Sequence, residues 1–231
     1  MIASEYIAGT LIPPFDPISL STVFAKGTPI KLGANELLYM PEEQSTHVYL
    51  VVSGEIRLYN INADGREFTL GVFGENEIVG ECELLTNSLR AGYAMARGCT
   101  ELLALGKTKF LHQVQESAEL AMMFTRIVSF KNRLAERKME SLLFKNAHAK
   151  VAEQLLALAE QHGQPVDAPG GERVLDIAYP ITHQEIANLI GATRETVSYV
   201  LLDFKSMQMI LTSRRRIAIR DVARLKEIAR S

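Results

Sequence analysis

The sequence predicts an α+β protein in three parts: an N-terminal β-roll or jelly-roll barrel, a long helix, and a C-terminal winged helix-turn-helix. Three observations carry this. Residues 21–112 are a succession of short apolar runs punctuated by glycine. Between about 118 and 145 the apolar period changes to that of one long helix. Beyond residue 181, two short amphipathic helices meet at a glycine, and two strands around a basic turn follow. The parts divide at 1–117, 118–146 and 147–231.

Residues 1–20 hold Pro13-Pro14 and Pro17, the mark of an extended arm or a short lead-in helix. Val48-Tyr49-Leu50-Val51-Val52 then runs into Ser53-Gly54, and Glu55 to Ile61 alternates apolar and polar. Ala63-Asp64-Gly65-Arg66 is a hairpin signal, with Glu67 to Phe73 as the returning strand. Tyr93-Ala94-Met95-Ala96 and Glu101 to Leu105 continue the series. Many short strands with glycine between them argue for a barrel or sandwich.

From Leu120 an apolar stripe runs through Met123, Phe124, Ile127, Phe130 and Leu134, with no internal Gly or Pro. Some 26 residues at 1.5 Å each give about 39 Å. One small barrel cannot cover a helix that long, so a partner helix is expected, with Ile127, Phe130 and Leu134 as an a/d seam. Arg137 and Ser141, next in register, are polar. Packing of the stripe on its own barrel is the alternative.

Residues 147–162 form a further amphipathic helix, and 164–171, with Pro165, Pro169, Gly170 and Gly171, a loop. In the following motif Ile186, Ala187 and Ile190 give the first helix its apolar face. Gly191 sits past its end, where the chain needs a left-handed residue. Thr193 is placed to cap the second helix. Val197, Val200 and Leu201 point inward, leaving Arg194, Glu195, Ser198 and Tyr199 outside. A helix-turn-helix places the start of its second helix in the major groove of DNA. There an Arg can pair guanine O6 and N7, and a carboxylate can accept from cytosine N4. The other reading is an ordinary helical hairpin with a charged face. Residues 209–219 predict two strands around Arg214-Arg215-Arg216, a wing, and Asp221 caps a last helix.

Composition narrows the function. The chain has 231 residues, 47% hydrophobic, with net charge −2, enough for one large or two modest cores. No apolar run reaches the roughly 18 residues of a membrane span, and no secretory signal is evident. A cytoplasmic protein without a membrane partner is expected. Cys82 and Cys99 are expected as buried free thiols, too few for a four-thiolate iron–sulfur cluster. No metal site is expected, and His47, His112 and His148 are too scattered to single out a haem ligand. From Arg194 to Ser231 there are nine Lys/Arg against four Asp/Glu, so the remainder carries −7. A basic C-terminal face on an acidic protein suits a polyanion.

With the order barrel, long helix and winged helix-turn-helix in place, the chain resembles the CRP/FNR family of bacterial transcription factors over roughly residues 20–230. The sharpest matches are Gln184-Glu185-Ile186 through Gly191 to Arg194-Glu195-Thr196-Val197-Ser198, and Gly80-Glu81-Cys82-Glu83-Leu84-Leu85 with Arg90-Ala91. The resemblance implies a cyclic-nucleotide-binding-like barrel and a homodimer on a palindromic operator in double-stranded DNA. It also implies RNA polymerase as a partner, with activation or repression left open. It places base contacts on Arg194 and Glu195, with Thr193, Ser198 and Tyr199 also at the DNA-facing side. Tyr199 stands where an arginine is usual, which puts the half-site sequence in doubt. Arg214, Arg215 and Arg216 would grip phosphate, as would His183 and Gln184 at the start of the first helix; a plain surface role for His183 is the alternative.

The resemblance further implies an effector site of Gly80, Glu81, Cys82, Arg90 and Ala91, with Glu136 of the long helix. Glu81 would accept from a ribose hydroxyl and Arg90 would fork onto a phosphate or carboxylate. Two departures count against cyclic AMP. Glu83 stands where a small residue usually lies close to the phosphate, and a carboxylate there repels an anion. Ala135-Glu136 replaces the Thr-Ser that meets the base. Cyclic AMP, another small anionic effector and no effector all stay open, as does an internal Glu81–Arg90 ion pair. Thiol sensing by Cys82 and Cys99 is a weaker alternative. A nucleotide-binding module acting through a protein partner is the competing function, disfavoured by the Arg-rich wing. An enzyme is disfavoured because no nucleophile–base set or phosphate loop is present.

Overall fold

The structure, a computed structural model, describes residues 17–168, 171–213 and 216–230. They fall into two compact units, one ending at Ala135 and one beginning at Glu136.

The first unit opens with α1 (Pro17–Phe24), β1 (Thr28–Leu32), β2 (Leu37–Tyr39), β3 (His47–Ser53), β4 (Ile56–Ile61), β5 (Glu67–Phe73) and β6 (Ile78–Val79). The short helix α2 (Glu81–Thr86), β7 (Tyr93–Ala96), β8 (Thr100–Gly106) and α3 (Lys107–Glu116) follow, and α4 (Ala118–Phe144) then begins. The strands make two antiparallel sheets, ordered β1-β8-β3-β6 and β2-β7-β4-β5. Both contribute to one apolar core, with Tyr49 and Leu102 from the first and Tyr39, Ile56 and Ala94 from the second. The other face of the first sheet, with Val48, Leu50, Ile78 and Leu105, packs against Phe24, Leu84, Phe110, Phe124 and Ile127 of the helices. This explains the unbroken apolar run in β3, since a strand buried on both faces has no reason to alternate. The β4–β5 turn is built as its sequence predicts. Asn62 Oδ1 accepts from the amides of Asp64 and Arg66 at 3.0 and 2.9 Å, and Gly65 takes φ 75°.

The long helix has 27 residues and buries Met123, Phe124, Ile127 and Phe130. The expected seam is therefore corrected. Ile127 is fully buried among side chains of its own barrel and Phe130 is 3% exposed, so neither is free to meet a partner; Leu134 is half-buried. A different series, Ala121, Thr125, Val128, Asn132, Ala135, Met139 and Leu142, recurs at alternating spacings of four and three, and none of it is buried.

The second unit contains α5 (Ala147–His162), β9 (Gly163–Asp167), β10 (Arg173–Ile177), α6 (His183–Ile190), α7 (Arg194–Ser206), β11 (Ile210–Ser213), β12 (Arg216–Ile219) and α8 (Val222–Ala229). Here the expected loop at 164–171 is also corrected. Its first half is strand β9, which pairs β10 from Gly163↔Ile177 to Asp167↔Arg173. The sheet order is β11-β12-β10-β9, so Pro165 lies on an edge strand, where a missing N–H is tolerated. Val151, Leu155 and Leu158 of α5 share one core with Ile186, Ala187 and Ile190 of α6, Val197, Val200, Leu201 and Phe204 of α7, and Leu225 of α8. Each such fully buried Val or Leu stabilises by about 1.5–3 kcal/mol.

Candidate functional site

In the second unit, local chemistry fixes both ends of the helix pair. Thr182 caps α6 by accepting from the Glu185 amide at 3.1 Å, and Glu185 reaches back to the Thr182 amide at 2.7 Å. This reciprocal box satisfies two amides that a helix start leaves free. Gly191 ends α6 at φ 66°, ψ 37°. The Thr193 hydroxyl caps α7, accepting from the Thr196 amide at 3.2 Å, and is thereby occupied. The reverse face of α7 is buried through Val197, Val200 and Leu201, while Arg194 and Glu195 are exposed and Tyr199 is 66% exposed.

Two histidines brace this face. His183 Nδ1 and the half-buried Ser198 Oγ hydrogen-bond at 2.7 Å. His148 Nε2 meets Asp203 Oδ2 at 3.0 Å, and its ring lies edge-on to Tyr199 at 6.3 Å and to Phe204 at 5.8 Å. His183 is thus tied to the recognition helix. Gln184, exposed, donates to Asn188 Oδ1 at 2.8 Å. On the wing Arg216 pairs with Asp176 of β10 while staying 63% exposed in its side chain. Arg214 and Arg215 lie outside the described residues.

In the first unit, Gly80 precedes α2 with φ 84°. A Cβ there would sit 2.7 Å from Arg90 Nη1, so glycine is required twice over, by conformation and by space. Arg90 is 3% exposed. Its backbone is clamped, its amide donating to Glu43 O and its carbonyl accepting from the Glu42 amide, both at 2.9 Å. Its guanidinium donates to Gly80 O at 2.8 Å, His47 O at 2.5 Å and Glu83 Oε2 at 3.3 Å. One face lies 4.2 Å from the Tyr39 ring centroid, with Tyr49 at 5.9 Å. A cation over such a face gains about 0.5–2 kcal/mol. Burial pushes both phenols up against the opposing pull of Arg90, so they stay neutral.

Glu81, 2% exposed, does not pair with Arg90, which corrects the internal pair considered from sequence. Lys131 of α4 takes it instead, Nζ donating to Glu81 Oε1 at 2.7 Å and to Ile78 O at 2.6 Å, 4.5 Å from the Phe73 ring. Lys131 went unnoticed in the sequence although a signal was present. It stands four residues after Ile127 and seven after Phe124, a charge on a buried stripe, which requires a buried counter-charge. Tyr39 and Tyr49 carried no such signal. Ala91 is exposed, and Glu136 is exposed and belongs to the second unit. Both cysteines are free and exposed rather than buried. Cys82 turns its sulfur to Glu81 Oε1 at 3.5 Å, and desolvation together with that carboxylate pushes the thiol up to about 12. A protonated thiol is a poor redox sensor.

A cyclic nucleotide needs a cation for its phosphate and an acceptor for its ribose hydroxyl. Arg90 and Glu81 have that chemistry, but both are already paired, and Glu83 sets a second carboxylate at the cation. Among the described residues no His, Cys, Asp and Glu cluster gathers to hold a metal ion, and no helix is long and apolar enough to cross a membrane.

A buried-core helix-turn-helix with a charged outer helix start, joined to a barrel with an interior arginine, defines an effector-controlled DNA-binding regulator. Comparison with known proteins agrees part by part. The Cyclic nucleotide-binding domain family matches residues 29–117, and the Crp-like helix-turn-helix domain family matches residues 149–228. The chain is 32% identical over 182 residues to the Cyclic AMP receptor protein of Thermus thermophilus, covering 79% of each chain. It is 25% identical over 215 residues to the CRP-like cAMP-activated global transcriptional regulator of Mycobacterium tuberculosis, covering 93% of this chain and 94% of the relative. Among solved structures, a CooA mutant from Carboxydothermus hydrogenoformans superposes with a TM-score of 0.73 at 26% identity, covering 90% of both chains. The chain belongs to the CRP/FNR family of transcriptional regulators, and it is not an enzyme.

Proposed function

We propose that this regulator binds a palindromic operator as a homodimer, one α7 per half-site, under control of a small anionic effector in the barrel. The observation that carries the DNA half is α7 itself. Its cap and buried face fix the helix, and Arg194, Glu195 and Tyr199 are left on its exposed side. Arg194 pairs a guanine and Glu195 accepts from a cytosine amine. Ser198, its hydroxyl shared with His183, reads a third position. Tyr199 offers an apolar ring to a thymine methyl. Arg214, Arg215 and Arg216, with His183 and Gln184, supply phosphate contacts that raise affinity without sequence information.

The dimer seam is the series Ala121, Thr125, Val128, Asn132, Ala135, Met139 and Leu142 on α4, whose four–three spacing is that of a coiled-coil contact. Arg90 anchors the effector's anionic group and Glu81 its hydroxyl, with Gly80, Cys82 and Ala91 beside them. Cyclic AMP, which two relatives carry in their names, is the first effector to test. The effector acts by binding the DNA-competent arrangement more tightly than the other. RNA polymerase in the cytoplasm is the protein partner. A gel-shift titration against fragments of the source genome, with and without cyclic AMP, tests the reading. A specific, salt-sensitive complex is expected, and no specific complex on any fragment at low salt would remove it.

A further inference from the structure

Two of the barrel's ion pairs, the ones made by Glu81 and Glu83 of α2, are of unequal quality. Lys131–Glu81 is close, 2.7 Å, with side chains 14% and 2% exposed. Arg90–Glu83 is longer, 3.3 Å, with side chains 2% and 20% exposed. A charge-assisted N–H···O bond normally runs at about 2.7–2.9 Å, so the second pair is stretched and single-pronged.

The rest of the Arg90 environment sharpens the contrast. The carbonyls of Gly80 and His47 fix the guanidinium in place but carry no net charge. Tyr39 covers one face. Among the described residues the carboxylate that pairs with this buried cation is Glu83, the more exposed member of the pair. Arg90 is thus positioned independently of Glu83, and Glu83 is the partner free to leave.

We propose that Glu83 is a built-in competitor: its carboxylate takes a second contact at Arg90 Nη1, which also donates to Gly80 O, and an anionic effector binds only by displacing it. This rests on reading the barrel as the effector site. Glu83 then sets the concentration at which an anion is sensed. A ligand able to place two oxygens on the guanidinium, as a phosphate or carboxylate does, displaces a single-pronged contact, whereas a weaker or singly contacting anion does not. The Lys131–Glu81 pair stays closed during this exchange.

Equilibrium binding of cyclic AMP and of inorganic phosphate to the full-length chain tests this, comparing wild type with Glu83→Gln and Glu83→Ala. Removing the competing charge should tighten cyclic AMP at least tenfold in both variants. Each variant should also melt lower than wild type without ligand and recover when either anion is added, because Arg90 has lost its counter-ion and a bound anion replaces it. A merely structural glutamate would lower the melting temperature without anion-dependent recovery. If both folded variants bind the two probes no better than wild type, or none of the three proteins binds either, the proposal is overturned. Tighter binding with no change in the gel shift would leave Glu83 as the competitor and remove effector control of DNA binding instead.

Discussion

Arg194 and Ser198 sit four residues apart on one helix, yet different forces hold them. Arg194 is exposed at the first turn of α7, whereas Ser198 is half-buried and shares its hydroxyl with His183. Arg194→Ala should therefore cost about 1–3 kcal/mol on the preferred operator and relax one base position. His183→Ala should relax the position under Ser198 without removing the Arg194 preference. Selection from a randomised DNA library by the full-length variants measures both; loss of preference at the same position in the two would contradict the division. The residue scale also gives a chemical test. With its thiol pushed up to about 12, Cys82 holds far less thiolate at pH 8 than a free cysteine of about 8.5. Alkylation of Cys82 at pH 8 should be at least a hundredfold slower than that of a free thiol, and should keep rising with pH beyond 10. A plateau near pH 9 would contradict that upward shift. At this scale the sequence displayed the outward residues of α7 plainly, because helical spacing sorts them. It did not display that Glu81 would meet Lys131 rather than Arg90, since which of two cations reaches a carboxylate depends on the path of α4 past α2.

Among the elements, helices announced themselves through their ends. Gly191, Thr193 and Asp221 each terminate or cap as their chemistry requires, because capping is settled within four residues. Strand β9 was hidden, since Pro165 and Gly163 have the composition of a loop and only the pairing with β10 makes them a strand. The Ile127 and Phe130 stripe of α4 is hard to assign from sequence for a related reason. An apolar stripe shows that a face is buried but not by what, and its own barrel took Ile127. Two measurements follow. Thr182→Ala should lower the opening free energy of α6 by about 1 kcal/mol, read as faster amide hydrogen exchange from Ile186 to Ile190. Unchanged protection would mean the box contributes nothing. Lys131→Ala should destabilise the first unit by about 3–5 kcal/mol, because Glu81 is left buried without a partner. A urea melt of the variant within 1 kcal/mol of wild type would deny that pairing.

At the scale of the whole molecule, the two faces of α4 should separate folding from assembly. Val128→Glu and Met139→Glu, on the unburied series, should yield folded monomers by sedimentation. Ile127→Ala, by contrast, should leave a dimer but cost about 2–5 kcal/mol in stability. A Val128→Glu protein that remains dimeric would move the interface elsewhere. On the proposed function, the interior cation of the barrel would be the input and the helix that presents Arg194 the output, and a two-fold dimer would give paired half-sites. The most direct test is fluorescence anisotropy of full-length wild type and Arg194→Ala on a library-selected palindrome and on its scrambled control. Wild type should prefer the palindrome by a factor of a thousand or more at physiological salt, and Arg194→Ala should lose about ten- to a hundredfold of that on the palindrome alone. Equal affinity of wild type for both DNAs, or an equal loss by the variant on both, would contradict recognition by α7.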